Sequence, residues 1–204
     1  MVKSSKAWLR RHVTDTYVRQ AKVAGYRSRA AYKLLEIDHN DRLLRPGTTV
    51  LDLGAAPGGW SQVAAHKAGP GGRVVAIDLL QIAPISGVTV LQGDVREPQT
   101  RAAARAALGG AADLVLSDLS PNMSGIPDVD QARGAELARL ALELARDVLK
   151  PSGALLVKVF QGEAFGEVLG EIRRAFQTVS VRKPGASRGE SRETFLLARV
   201  PKPR

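Results

Sequence analysis

At 204 residues and 44% hydrophobic content the chain can bury one sizeable core and is short for two, so one domain over 1–204 is expected. It contains no cysteine, which excludes disulfides, thiolate nucleophiles and cysteine-ligated zinc, and His12, His39 and His66 lack the spacing of a histidine metal site. The formal net charge is +10, while no run reaches the roughly 18 apolar residues of a membrane span and the start, MVKSSKAWLRRHVTDTYVRQ, has no apolar signal stretch.

A soluble cytoplasmic protein is therefore expected, an organelle transit peptide being the other reading of the Arg-rich start. Within residues 1–29, eight basic groups (Lys3, Lys6, Arg10, Arg11, Arg19, Lys22, Arg27, Arg29) face only Asp15, a net of +7. Residues 182–204 carry seven basic groups against Glu190 and Glu193, a net of +5. Because the whole chain carries +10, residues 30–181 sum to −2. Positive charge confined to the two ends is the footprint of a phosphate-binding surface around a near-neutral catalytic core. A pair of solvated basic tails is the plainer alternative. Trp8, Tyr17, Tyr26 and Tyr32 lie among these cations and suit either stacking on exposed bases or ordinary packing.

In chain order, a helix over about Ser28–His39 precedes alternating strands and helices. Apolar, β-branched runs predict strands at Thr49–Leu53, Arg73–Leu79, Val88–Leu91, Asp113–Ser117, Ala154–Phe160, Thr178–Val181 and Thr194–Val200. Helical spacing falls at Trp60–Lys67, Glu97–Leu108, Gln131–Leu149 and Glu163–Phe176, with Asp130 as a cap of the third and Pro151 and Gly153 marking its end. Strand–helix alternation predicts a mostly parallel, doubly wound sheet with helices on both faces. The segment Arg182–Arg192 is too short for a crossover helix, so the last two strands pair antiparallel or sit at different places in the sheet. The expected class is thus α/β, Rossmann-like, with seven strands of which one is antiparallel.

After the first strand comes Gly54-Ala55-Ala56-Pro57-Gly58-Gly59-Trp60, a turn that lets backbone approach a ligand. Ala56 stands where a dinucleotide fingerprint needs its second glycine, and no Gly-Lys-Ser/Thr follows, so neither a pyrophosphate site nor a P-loop is met. A nucleoside ligand without phosphate fits better, and S-adenosylmethionine is one. Asp78, 24 residues after Gly54, suits a ribose, and Asp94, after the third strand, suits an adenine amino group.

Five stretches carry a specific resemblance: Ser28–Leu34, Leu51–Gln62, Ser117–Gly125 (SDLSPNMSG), Val157–Gly162 (VKVFQG) and Ser191–Glu193. In order, over about residues 4 to 200, they resemble the FtsJ/RrmJ (RlmE) family of bacterial 23S ribosomal RNA uridine 2′-O-methyltransferases. The resemblance implies a Lys-Asp-Lys-Glu tetrad on Lys33, Asp118, Lys158 and Glu193 and cofactor contacts at Gly58, Trp60, Asp78, Asp94 and Asp118. It also implies S-adenosylmethionine as cofactor and a uridine of large-subunit ribosomal RNA as partner, within the ribosomal particle. We expect a monomer with no membrane partner. Ser120 stands where relatives can carry alanine and Phe195 where they can carry tyrosine, so a phenolic hydroxyl at Phe195 is not required here.

The chemistry itself needs an aligned oxygen nucleophile and a proton acceptor but no metal. Lys158, in an apolar strand, is that acceptor only when deprotonated, which burial, Lys33 and a sulfonium favour and Asp118 and Glu193 oppose. Taken alone, Lys33 and Glu193 read equally as a surface ion pair. Rival readings are a 2′-O-methyltransferase of transfer RNA or messenger-RNA caps, a non-catalytic RNA-binding ribosome-assembly factor and, more distantly, a dehydrogenase.

Overall fold

A computed structural model describes residues 15–122, 124–187 and 191–203; Trp8, Met123 and the basic groups of 1–14 and 188–190 lie outside them. The strands are β1 (Thr49–Leu53), β2 (Arg73–Asp78), β3 (Val88–Gln92), β4 (Ala112–Ser117), β5 (Leu149–Phe160), β6 (Phe176–Arg182) and β7 (Glu193–Pro201). The helices of the described residues are α1 (Thr16–Val23), α2 (Ala30–Asp41), α3 (Gly59–Ala68), α4 (Pro98–Leu108), α5 (Pro127–Val148) and α6 (Phe165–Ala175). None of them is long and apolar enough to cross a membrane.

The strands form one sheet in the order β3-β2-β1-β4-β5-β7-β6. β1 through β5 pair parallel, and β7 inserts between β5 and β6, antiparallel to both. This is the expected mostly parallel seven-stranded sheet with one reversed strand. Strand alternation divides the side chains into two layers. Leu51, Leu53, Val115, Leu155, Val157 and Leu196 pack under α4, α5 and α6, while Val50, Leu114, Leu116, Leu156, Phe195 and Leu197 pack under α2 and α3. Both layers are fully removed from water at their centres, as near-continuous apolar parallel strands require.

Three differences from expectation stand out. α5 begins at Pro127, four residues before Gln131, so Asp130 is inside its first turns and not its cap. Proline opens a helix without loss because the first N–H has no intrahelical partner. α5 ends at Val148 and β5 starts at the next residue, leaving Pro151 and Gly153 inside the strand's irregular start. There the register jumps from Ala112↔Leu149 to Ala112's second neighbour Leu114↔Ala154, a bulge that tolerates a residue without an N–H. The short helix α1 lacked a sequence prediction; it buries only Ala21, and Asp15 caps it by accepting from the Tyr17 amide at 3.0 Å.

Candidate active site

The period-2 alternation that builds the α2/α3 layer also aims the polar groups. Val50 and Asp52 on β1, Leu156 and Lys158 on β5, and Glu193, Phe195 and Leu197 on β7 follow one another on that side. Across the β5–β7 ladder Lys158 lies opposite Phe195, and Phe160 opposite Glu193. α2 covers this end of the sheet with Lys33. Lys33 Nζ stands 2.5 Å from Glu193 Oε1, and Lys158 Nζ 3.0 Å from Asp118 Oδ1. All four side chains are largely buried, Lys158 at 5% exposure most of all.

Lys158 donates its aligned hydrogen bond to the Asp118 carbonyl oxygen at 2.9 Å. Asp118 Oδ1 is therefore buried beside an ammonium without a hydrogen bond of its own. The ring of Phe160 lies 5.7 Å from Lys158 Nζ and that of Phe195 5.8 Å from Lys33 Nζ, so each cation rests over an aromatic ring. Burial raises the Glu193 carboxyl, but the ammonium of Lys33, its hydrogen bond and the charge of Lys158 outweigh it and hold Glu193 below its ordinary value. Lys33, Asp118, Lys158 and Glu193 are thus gathered into one cluster. Phe195, fully buried with its ring 5.6 Å from Trp60, belongs to the packing beneath it.

Beside this cluster lie the carboxyl ends of the parallel strands β1, β2, β3 and β4, where open α/β sheets bind ligands in a crevice. Asp78 ends β2, accepting from the Ala56 amide at 2.9 Å and the Leu80 amide at 2.8 Å, which leaves each oxygen a free lone pair. Gly58 has φ +110°, a backbone conformation that L side chains rarely adopt, so a larger residue would be strained in this turn. Trp60 is 3% exposed and its indole donates to Ala30 O at 2.7 Å, so only its main chain, at the start of α3, is left for a ligand. Asp94 is held below the ordinary carboxylate range by Arg96, whose guanidinium and amide donate to it at 2.6–3.0 Å.

Two groups here escaped the sequence reading. Asp52 is fully buried; Ser61 Oγ donates to one oxygen at 2.6 Å and the other has no partner. Burial, against that hydrogen bond and with Asp118 and Asp78 adding to it, pushes its pKa up to about 7. A lone carboxylate between two leucines in a strand was the available signal. Arg27, counted among the phosphate-binding cations, instead donates to Ala83 O at 2.6 Å, Pro84 O at 2.7 Å and Pro57 O at 3.3 Å, tying the glycine turn to the loop after β2. Arg29 is likewise committed, to Asp15 and Ala186 O.

α5 holds the two loops that flank Lys158. Asp130 accepts from Ser124 N at 2.7 Å, Ser124 Oγ at 2.8 Å and Gly125 N at 3.1 Å, fixing the loop that follows Asp118. Gln131 accepts from the Glu163 amide at 3.2 Å, fixing the loop after β5. One turn on, Gly134 admits the Phe160 ring, which a Cβ would meet at 2.7 Å. The Gln161 amide in turn donates to Arg192 O at 2.8 Å, beside Glu193.

The donor set decides what class of ligand the crevice takes. Asp78, Asp94 and Asp118 offer acceptors and negative charge, which repel a pyrophosphate and attract hydroxyls, amines and cations. A cationic nucleoside such as S-adenosylmethionine fits, with the unsatisfied first amides of α3 available to its carboxylate. Fold and site together define a Rossmann-like methyltransferase. A family model of the FtsJ-like methyltransferases matches residues 26–200, and the chain belongs to that family. It is 58% identical over 200 residues, 98% of this chain and 91% of the relative, to a ribosomal RNA large subunit methyltransferase E of Thiobacillus denitrificans. To the protein of that name from Azoarcus sp. it is 56% identical, over 96% of each chain. A solved structure from Plasmodium falciparum described as a ribosomal RNA methyltransferase superposes with a TM-score of 0.78 at 26% identity, covering 88% of this chain and all of the other.

Proposed function

We propose that the chain methylates the ribose 2′-hydroxyl of a uridine in 23S ribosomal RNA of the large subunit, using S-adenosylmethionine. The observation that carries this reading is the Lys158–Asp118 pair set beside the Lys33–Glu193 pair at the mouth of an acceptor-lined crevice. The relatives' name for large-subunit RNA supports the substrate.

Bound in the crevice, the cofactor supplies a methyl group activated by its sulfonium. Asp78 accepts from the ribose hydroxyls and Asp94 from the adenine amino group, sharing its carboxylate with Arg96. Gly58 and Trp60 approach through their main chains. Lys158 Nζ, once it has given up a proton, takes the one leaving the RNA hydroxyl, and Asp118 holds Nζ from both its carbonyl and its carboxylate. Lys33 and Glu193 position the acceptor ribose and balance the charge of Lys158. Arg19, Lys22 and other cations of the terminal segments hold the phosphates.

The deciding experiment maps methylated nucleotides after incubating the protein and labelled cofactor with naked large-subunit RNA and with large subunits. Label at a single uridine 2′-hydroxyl of 23S RNA is expected. Label confined to transfer RNA or cap structures sinks the reading, and unchanged methylation by Lys158→Ala sinks the assignment of its site.

A further inference from the structure

A second feature lies where α1 meets α2. Thr16, Arg19, Gln20, Val23 and Ala24 of the α1 segment and Tyr32 of α2 line an open cleft of about 450 Å³. α1 has eight residues and buries one of them, far short of what makes an isolated helix stable in water. It is nonetheless tied down, by the Asp15 cap and by the Tyr26 amide donating to Ala21 O at 2.8 Å. What it presents is a cation at Arg19, another at Lys22, no carboxylate, and Val23 exposed at 90%.

We propose that this cleft is a subsite for one unpaired nucleotide of the RNA, adjacent to the nucleotide being methylated. The lining matches the parts of a nucleotide. Val23, Ala24 and the Tyr32 ring offer apolar and aromatic walls for a base, Gln20 offers both donor and acceptor for its edge, and Arg19 offers a fork for its phosphate. The volume lies within the range of about 300–1,000 Å³ typical of small-molecule sites. Tyr32 packs against Tyr17, ring centroids 5.5 Å apart, and against Tyr26 at 5.9 Å edge-on, so its ring has an aromatic neighbour on two sides. It also immediately precedes Lys33, whose ammonium meets Glu193 in the active cluster, which puts cleft and acceptor ribose on neighbouring parts of one helix. Val23 follows the cations Arg19 and Lys22, and the absence of any acid within Thr16–Val23 suits a polyanion.

This subsite rests on RNA being the substrate, so its test reads binding and contact separately from methyl transfer. Transcripts of large-subunit RNA carrying 4-thiouridine at single positions are photo-crosslinked to the full protein, and the attached peptide is identified. Attachment within residues 16–32 from a nucleotide next to the target is expected; attachment only elsewhere overturns the proposal. Val23→Glu, at a side chain too exposed to affect folding, is expected to raise KM for the transcript at least tenfold with kcat and cofactor affinity unchanged. The same change at exposed Val181 on edge strand β6 controls for net charge. Equal effects at both positions, or a wild-type KM for Val23→Glu, overturn the subsite. Arg19→Ala should reduce the slope of log affinity against log salt by about 0.7, the loss of one single-strand phosphate contact, and an unchanged slope counts against it. RNA that crosslinks to the cleft yet is never methylated would leave the subsite standing and remove the proposed function instead.

Discussion

The two halves of the site are held together by different physics. On the proposed cofactor side the acceptors are supported locally: Asp78 by the amides of Ala56 and Leu80, Asp94 by Arg96, all within residues 56–96. On the acceptor side Lys33, Asp118, Lys158 and Glu193 come from α2, the end of β4, β5 and β7, and oppositely charged neighbours hold them. Loss of one cofactor-side carboxylate leaves amides that water can reach, whereas loss of one acceptor-side charge strands its buried partner. The first half should therefore fail piecemeal and the second as a unit.

The sharpest break of that contrast is Lys158→Ala. Single-turnover methylation should fall by roughly 10²–10⁴-fold, the usual worth of a positioned proton acceptor, with calorimetric affinity for S-adenosylmethionine little changed. A parallel loss of cofactor affinity would make the two halves one.

Asp52 separates them by pH. Its pKa of about 7 in the folded protein lies above the ordinary 3.8, so the folded state binds this proton more tightly. The stability it contributes is full below pH 4 and is lost as pH rises through 7. Asp52→Asn should therefore gain on wild type across that window, by at most about 4 kcal/mol, in denaturant unfolding followed from pH 4 to 8. Parallel curves would mean that Asp52 is ionised throughout.

Asp78→Ala should weaken cofactor binding by about 10–100-fold, the loss of hydrogen bonds to a charged acceptor, while RNA affinity in a filter-binding assay holds. The smallest effect is expected of Asp130→Ala, which releases the loop after Asp118 without touching the four charged groups. KM for RNA should rise by about tenfold or less, consistent with a hydrogen-bond network worth ~1 kcal/mol, with Asp130→Asn recovering part of it. A fall in kcat with KM unchanged would place that loop in the chemistry.

Much of this was legible in the chain. The strand–helix alternation fixes the parallel core because each run must bury both faces, and the turn after β1 with Asp78 and Asp94 marks the crevice because cofactor-side chemistry is local. The reversed strand was half legible: the short Arg182–Arg192 link left antiparallel pairing or separate places in the sheet, and only the structure shows β7 pairing antiparallel with β6 and inserting next to β5. Arg27 and Asp130 were misjudged in role because their partners, the Ala83 and Pro84 carbonyls and Ser124, depend on where loops come to rest.

The residues by themselves thus determined the fold class and the absence of a dinucleotide or P-loop pattern from the glycine turn, and the family resemblance pointed to the four charged groups. Their pairing belongs to the tertiary structure. Nothing in the order Lys33, Asp118, Lys158, Glu193 says that the first meets the last and the middle two meet each other. That choice follows from α2 lying over β7 while β4 lies beside β5, since a charge buried at the end of a sheet must take the opposite charge that packing brings to it.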